Sequence, residues 1–345
     1  MTTSSPIGVG LAGYGLAGAV LHAPILEALS DYRIRAVMTS RAEAAERRDA
    51  PAVVPDIDAL LAHPGVDLVV VVTPNAHHAD HAEAALRAGK HVVIDKPMAP
   101  DVATCDRLID IAAGADRLLS VYHNRRWDGD YLAAQALLGA GELGTPALYE
   151  ARWDRFRPTA PAVWRNEAGP GSGLLWDLGP HLIDQAIGLL GWPDAMAADV
   201  AIQRGDARAD DYFEIALHYG TMRAIVSASS LVAATRPHLA LHGTGGSWWT
   251  EGIDPWEAAL RAGEPLTRLP DIAAFRATKD GERTPRPVPA GDAAGFYRRL
   301  ARAIRGEGPI PVDPVDARNI VALIEAAHRG QPVPPRRLPD NAGQG

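Results

Sequence analysis

Along the first third of the chain, short apolar runs alternate with stretches of helical periodicity. Residues 7–12 and 33–38 read as strands, and a helix is predicted between them over 18–29. Residues 68–72 are leucine followed by four valines, as expected of a strand buried on both faces of a parallel sheet. Further strands are predicted at 91–94 and 118–122, with helices at 56–63, 78–88 and 102–113. Repeated βα units at this spacing predict an α/β fold, with a Rossmann-type doubly wound parallel sheet over residues 1–123.

The pattern changes after residue 123. A helix over 131–138 leads to a strand at 147–155, a loop broken by proline and glycine, and a helix carrying Asp177 and His181. Four strand-like runs follow, at 196–203, 212–218, 222–229 and 238–242, with few helical stretches between them. Strands that follow strands predict a mostly antiparallel sheet, so residues 124–335 are expected to form an α+β domain. A last helix is predicted over 316–329, and the proline-rich end is expected to be loose over 336–345.

Composition narrows the class. A length of 345 residues exceeds what one hydrophobic core usually serves, roughly 250–300, which favours two domains. The formal charge of −8 argues against a nucleic-acid or anionic-membrane binder, either of which needs a basic face. The single cysteine, Cys105, leaves no intramolecular disulfide and no cysteine-cluster metal site, and no metal is expected. The amino terminus lacks an export-like apolar segment, and the run at 68–72 is too short to cross a bilayer. A cytoplasmic location is therefore expected.

Gly13-Tyr14-Gly15-Leu16-Ala17-Gly18 directly follows a predicted strand and opens a predicted helix. In that context the first glycine permits the tight turn, the second lets backbone approach a pyrophosphate, and the third lets helix pack on strand. Amides at the helix start then face the phosphate charge. The end of the second strand reads Thr39-Ser40-Arg41, with no carboxylate before Glu43. Two hydroxyls and a guanidinium suit a 2′-phosphate, so NADP is expected in preference to NAD. Thr73-Pro74-Asn75, with His77 beyond, falls at a strand end beside the switch point, where the nicotinamide side of a cofactor is expected.

Asp95-Lys96-Pro97 follows the next strand, again on the cofactor side. A lysine there can bond a substrate hydroxyl and share in proton transfer. Pro97 sets the local backbone in either isomer. Asp177 and His181 are four residues apart, with Asp184 three further on, so a helix presents all three on one face. That stripe suits a general base oriented by a carboxylate, though a packed histidine or a metal ligand remain alternatives. Gly179 and Pro180 predict an irregular first turn near Asp177. Asn124, Arg125, Trp164 and Arg165 are candidates for contacts to substrate hydroxyls, and Asn124 also for the cofactor.

Together, Gly13-x-Gly15-x-x-Gly18, Thr73-Pro74-Asn75 with His77, Asp95-Lys96-Pro97 and Asp177-x-x-x-His181 resemble the glucose–fructose oxidoreductase/inositol dehydrogenase/MocA family over nearly the whole chain. The stretches 124–130 and 177–185 look like its branch of NADP-dependent scyllo-inositol dehydrogenases. The resemblance implies a C-terminal domain with a large open sheet, through which a homodimer or homotetramer forms. It also implies catalytic roles for Lys96, Asp177 and His181 on a sugar or polyol substrate. Asp95 stands where the family usually has glutamate, and Trp248-Trp249-Thr250 stand where the branch usually has a lysine after Gly-Ser. The expected chemistry is hydride transfer at a secondary alcohol or ketone carbon. His181 removes the hydroxyl proton, Lys96 stabilises charge on oxygen, and Asp177 holds position. Reduction of a carbonyl or imine on an unusual sugar, or a non-catalytic NADP-binding regulator, are the competing readings.

Overall fold

A computed structural model describes residues 5–40, 51–160, 167–234, 236–267 and 269–339. Six parallel strands form the first sheet: β1 (Ile7–Ala12), β2 (Tyr32–Met38), β3 (Ala52–Val54), β4 (Leu68–Val71), β5 (His91–Ile94) and β6 (Leu119–Val121). Their order is β3-β2-β1-β4-β5-β6, so the connection reverses between β1 and β4 and leaves a crevice at the carboxyl ends there. All four residues of β4 are buried, which explains a run with no polar alternation. The flanking helices are α1 (Ala23–Ala28), α2 (Ile57–Ala62), α3 (His78–Arg87) and α4 (Val102–Gly114). Asp56 and Asp101 cap α2 and α4, their carboxylates accepting from the amides of Ala59 and Thr104. The helix predicted over 18–29 is not uniform: Ala17–His22 is a π-helical turn that passes into α1.

After α5 (Gly129–Gly139) comes the second sheet, built from β7 (Pro146–Asp154), β8 (Ala195–Ala201), β9 (Tyr212–Tyr219), β10 (Met222–Ser229), β11 (Leu239–Gly243), β12 (Gly246–Glu251), β13 (Ala273–Thr278) and β14 (Arg283–Pro285). The order is β14-β13-β12-β11-β7-β10-β9-β8, antiparallel except where β7 lies parallel to β10. Burial alternates along β9, so one sheet face is packed and the other is not. The packed face carries α6 (Leu174–Leu190), which lies across β10, β7 and β9.

Three helices tie the two sheets together. α7 (Trp256–Ala262) packs on the Ala17–His22 turn, and α9 (Pro314–His328) lies against both α4 and α6. α8 (Gly295–Ile304) returns to the first sheet, where Phe296, Tyr297 and Leu300 join Tyr32, Tyr122 and Trp127 in one buried cluster. The Tyr297 hydroxyl lies 2.6 Å from His22 Nδ1, and Tyr32 donates to the Tyr297 carbonyl at 2.7 Å. The end expected to be loose from 336 is instead held at Arg337. Its amide donates to Asn319 Oδ1, its carbonyl accepts from Asn319 Nδ2, and its guanidinium pairs with Asp106 at 2.6 Å. Residues 340–345 lie outside the described part of the chain.

Candidate active site

A cleft of about 1140 Å³ opens where the carboxyl ends of β1, β4 and β5 meet α6 and β7. Its floor is the glycine turn. Gly13 has φ 115°, a left-handed conformation that only glycine adopts freely, and an added Cβ would lie 2.8 Å from the Val72 carbonyl. At Gly18 a Cβ would come within 2.5 Å of the Gly13 carbonyl, so this glycine is what lets the helix close on the strand. Gly15 has nothing within 4 Å of its Cβ position: here bare backbone faces the open cleft. Such a cradle fits the pyrophosphate of a dinucleotide.

Tyr14, Leu16 and Ala17 line the cleft with the glycines, and Thr39 and Ser40 border it at the end of β2. Arg41 lies outside the described residues. Thr73, Pro74 and Asn75 also line it, and Asn75 is fixed by donating to the Gly171 carbonyl at 2.9 Å. His77 does not face the cleft. Successive residues of a helical turn point about 100° apart, and it is His78 that turns inward, bonding the carbonyls of Thr73 (2.8 Å) and Pro97 (3.0 Å). His77 is exposed and stacks on His81.

Asp95 and Lys96 reach the cleft from the end of β5, and the Lys96–Pro97 peptide bond is cis with Pro97 buried behind it. The Lys96 ammonium donates to the Asp177 carbonyl at 2.6 Å and to Asp177 Oδ1 at 3.2 Å. Helix α6 thereby meets the first sheet through one ion pair. The predicted irregular first turn is absent: α6 runs unbroken from Leu174, with Pro180 inside it. Proline has no N–H, so the Trp176 carbonyl loses its helical donor next to the carbonyl that Lys96 binds.

His181 is 7% exposed. Its ring stacks on Trp153 at 5.7 Å, and its Nδ1 is buried without a hydrogen-bond partner among the described residues. Burial first, then the charges of Lys96 and Arg125, hold its pKa well below the usual histidine range. Asp184 shares the helix face but not the site. It takes a bidentate bond from Arg126 at 2.9 and 2.7 Å, beside a separate cleft. Arg125 lines the cleft with its guanidinium already engaged. It pairs with Asp128 at 3.2 Å and with Glu257, and lies over Trp153 and Trp256 at 5.0 and 4.9 Å. Asn124, 8% exposed, leaves its Oδ1 buried in the cleft and without a hydrogen-bond partner among the described residues. Trp164 and Arg165 lie outside the described residues.

Sequence reasoning missed Trp153, Arg155, Tyr122 and Glu257, all of which line the cleft. For Trp153 and Arg155 a signal existed, since alternate residues of a strand share a face. For Glu257 there was none, because α7 went unrecognised.

A Rossmann sheet whose glycine turn opens into a cleft holding lysine, aspartate and a buried histidine defines a nicotinamide-dinucleotide oxidoreductase. The description "Oxidoreductase family, NAD-binding Rossmann fold" matches residues 7–123, and "GFO/IDH/MocA C-terminal domain" matches residues 131–249. The chain belongs to the Gfo/Idh/MocA family of oxidoreductases. It is 39% identical over 332 residues to scyllo-inositol 2-dehydrogenase (NADP(+)) of Bacillus subtilis, covering 93% of this chain and 92% of that one. An uncharacterized oxidoreductase of Escherichia coli is 40% identical over 335 residues, covering 93% and 95%. Among solved structures, an oxidoreductase from Bacillus subtilis superposes with a TM-score of 0.90 at 38% identity, covering 95% of this chain and 97% of that one. One from Klebsiella pneumoniae gives 0.89 at 35%, covering 98% and 97%. No helix among the described residues is long and apolar enough to cross a membrane.

Proposed function

We propose that this oxidoreductase acts on a secondary alcohol or ketone carbon of a sugar, inositol or related polyol, with NADP(H) preferred over NAD(H). The carrying observation is the buried His181 imidazole, whose Nδ1 has no partner among the described residues and shares a cleft with the Lys96–Asp177 pair above the glycine turn. The name of the Bacillus subtilis relative supports both the polyol and the cofactor.

When bound, the dinucleotide supplies the hydride acceptor or donor. Gly13, Gly15 and Gly18 would hold its phosphates, Thr39 and Ser40 would meet the 2′-phosphate, and Thr73, Pro74 and Asn75 would border the nicotinamide. Neutral His181 takes the proton of the substrate hydroxyl in oxidation and returns it in reduction. Lys96 donates to the same oxygen and stabilises its developing charge. Asp177 fixes the ammonium, and Asn124, whose buried Oδ1 has no partner among the described residues, accepts from a substrate hydroxyl. Asp95 is shorter by one methylene than the family's usual glutamate, and its carboxylate is taken up by the Lys96 amide at 2.8 Å. The protein works in the cytoplasm as a homodimer or homotetramer joined through the open sheet face.

A screen of inositols, polyols and aldoses, following absorbance of the reduced nicotinamide, tests the reading. Turnover is expected with a higher kcat/KM for NADP⁺ than for NAD⁺. A strong preference for NAD⁺ would remove the cofactor assignment, and failure to bind either dinucleotide would remove the whole.

A further inference from the structure

The substrate end of the cleft carries more cationic charge than the reaction needs. Trp153 near the end of β7 and Arg155 just after it alternate along extended chain, so both project toward α6. The backbone of Arg155 is pinned on both sides: its amide donates to the Ser229 carbonyl at 2.9 Å, and its carbonyl accepts from Val232 at 3.1 Å. Its side chain is 28% exposed, with the guanidinium 5.7 Å over the Trp153 ring. Among the described residues that guanidinium makes no hydrogen bond. Among the described residues the one carboxylate within 4 Å is Asp177, at 3.8 Å through Oδ2, and Asp177 already serves Lys96.

The other acids of the cleft are committed elsewhere. Glu257 holds Arg125 and Arg261, Asp211 holds Arg204 at 2.7 Å, and Asp210 accepts from the Leu175 amide. Burial lowers the Arg155 pKa; Asp177 and Glu257 oppose that shift, while Arg157 and Arg261 add like charge. Withdrawing a guanidinium from water with its donors unspent costs free energy that an arriving anion returns. Its planar fork matches carboxylate or phosphate oxygens two at a time, whereas a neutral hydroxyl takes one donor.

We infer that the substrate carries an anionic substituent, a carboxylate or a phosphate ester, which Arg155 takes in the cleft with Arg157 at its mouth. This rests on the polyol oxidoreductase reading and names the substrate class of that same site. The rival role for Arg155 is to join Lys96 in stabilising charge on the reacting oxygen. The two differ in what a substitution changes: the rival lowers kcat on every substrate alike, whereas an anion site alters the preference between charged and neutral ones.

The NADP⁺-loaded full chain is titrated with D-glucuronate, D-glucose 6-phosphate and myo-inositol 1-phosphate, against D-glucose and myo-inositol. Tryptophan emission is the readout, since Trp153 lies beside Arg155. At least one anionic ligand is expected to bind about 10- to 100-fold more tightly than its neutral counterpart, the size of one charge-assisted hydrogen bond. The carboxylate and phosphate arms identify the anion. R155Q is expected to abolish the preference and R157Q to reduce it, with circular dichroism confirming that both variants fold. Equal binding of charged and neutral ligands by the wild type overturns the inference, as does a uniform fall in kcat for R155Q with the preference intact. Should no polyol of either kind reduce a dinucleotide, the oxidoreductase reading fails, and the binding titration still decides the anion site.

Discussion

His181 gives up its proton more readily than a histidine in water, because burial removes solvent and Lys96 and Arg125 add like charge. The sign of the pH dependence follows. The base form is lost only as pH falls through a pKa below 6.5, so kcat/KM for oxidation should stay flat from pH 8 through 6.5 and decline at more acid pH. A profile whose acid limb is centred at or above 6.5 would contradict a depressed imidazole as the base. H181A and K96A should each lower turnover by roughly 10²- to 10⁴-fold, the usual worth of a positioned acid–base group. The pair Asp177 and His181 was legible because four-residue spacing fixes a common helix face. Asp184 obeys the same spacing, yet its role is set by Arg126, 58 positions away in sequence. The ring of Trp153 against His181 is likewise a contact between a strand and a helix, which no local pattern encodes.

At the scale of elements, α6 is the part whose defect matters. Pro180 sits inside it, and the turn that lacks a donor is the one that offers the Asp177 carbonyl to Lys96. P180A restores the missing N–H and should raise thermal stability, by up to about 3 kcal/mol on helix propensity. It should also lower kcat, by roughly tenfold, because closing the Trp176 carbonyl onto residue 180 tightens the turn and shifts the neighbouring Asp177 carbonyl relative to the ammonium. Thermal melts and steady-state kinetics on one preparation check both signs; a gain in stability with unchanged kcat would make the proline incidental. The placement of Pro180 also explains why the sequence misleads here. Glycine and proline together predict an irregular start, but the packing of α6 across β10 and β7 keeps the helix intact through both residues. The opposite error was made at α8. Phe296, Tyr297, Leu300 and Ala301 have amphipathic spacing, but the pattern follows a segment rich in proline and glycine and was not read as a helix.

For the molecule as a whole, the first sheet is not covered by its own residues alone. α8 supplies Phe296, Tyr297 and Leu300 to its core, Ser120 of β6 donates to the Val312 carbonyl at 2.8 Å, and α9 lies against α4. A fragment of residues 1–123 would expose Tyr32 and Tyr122, and is expected to lack a cooperative thermal transition and to bind NADP⁺ at least tenfold more weakly than the full chain. Circular dichroism and a binding titration test this; a fragment that melts cooperatively with full affinity would show the later helices to be dispensable. What the sequence by itself determined was local in origin: five of the six parallel strands, the glycine turn, the lysine after β5 and the Asp–His stripe; the short edge strand β3 was not among them. Each follows from steric and periodic rules acting within about ten residues. Only the tertiary structure decided which of two adjacent histidines faces the cleft, which carboxylate of the stripe meets the lysine, and which arginine reaches the cleft beside Trp153. Those outcomes depend on burial and on partners distant in sequence, and the free energy of a charged group is set by what surrounds it in space.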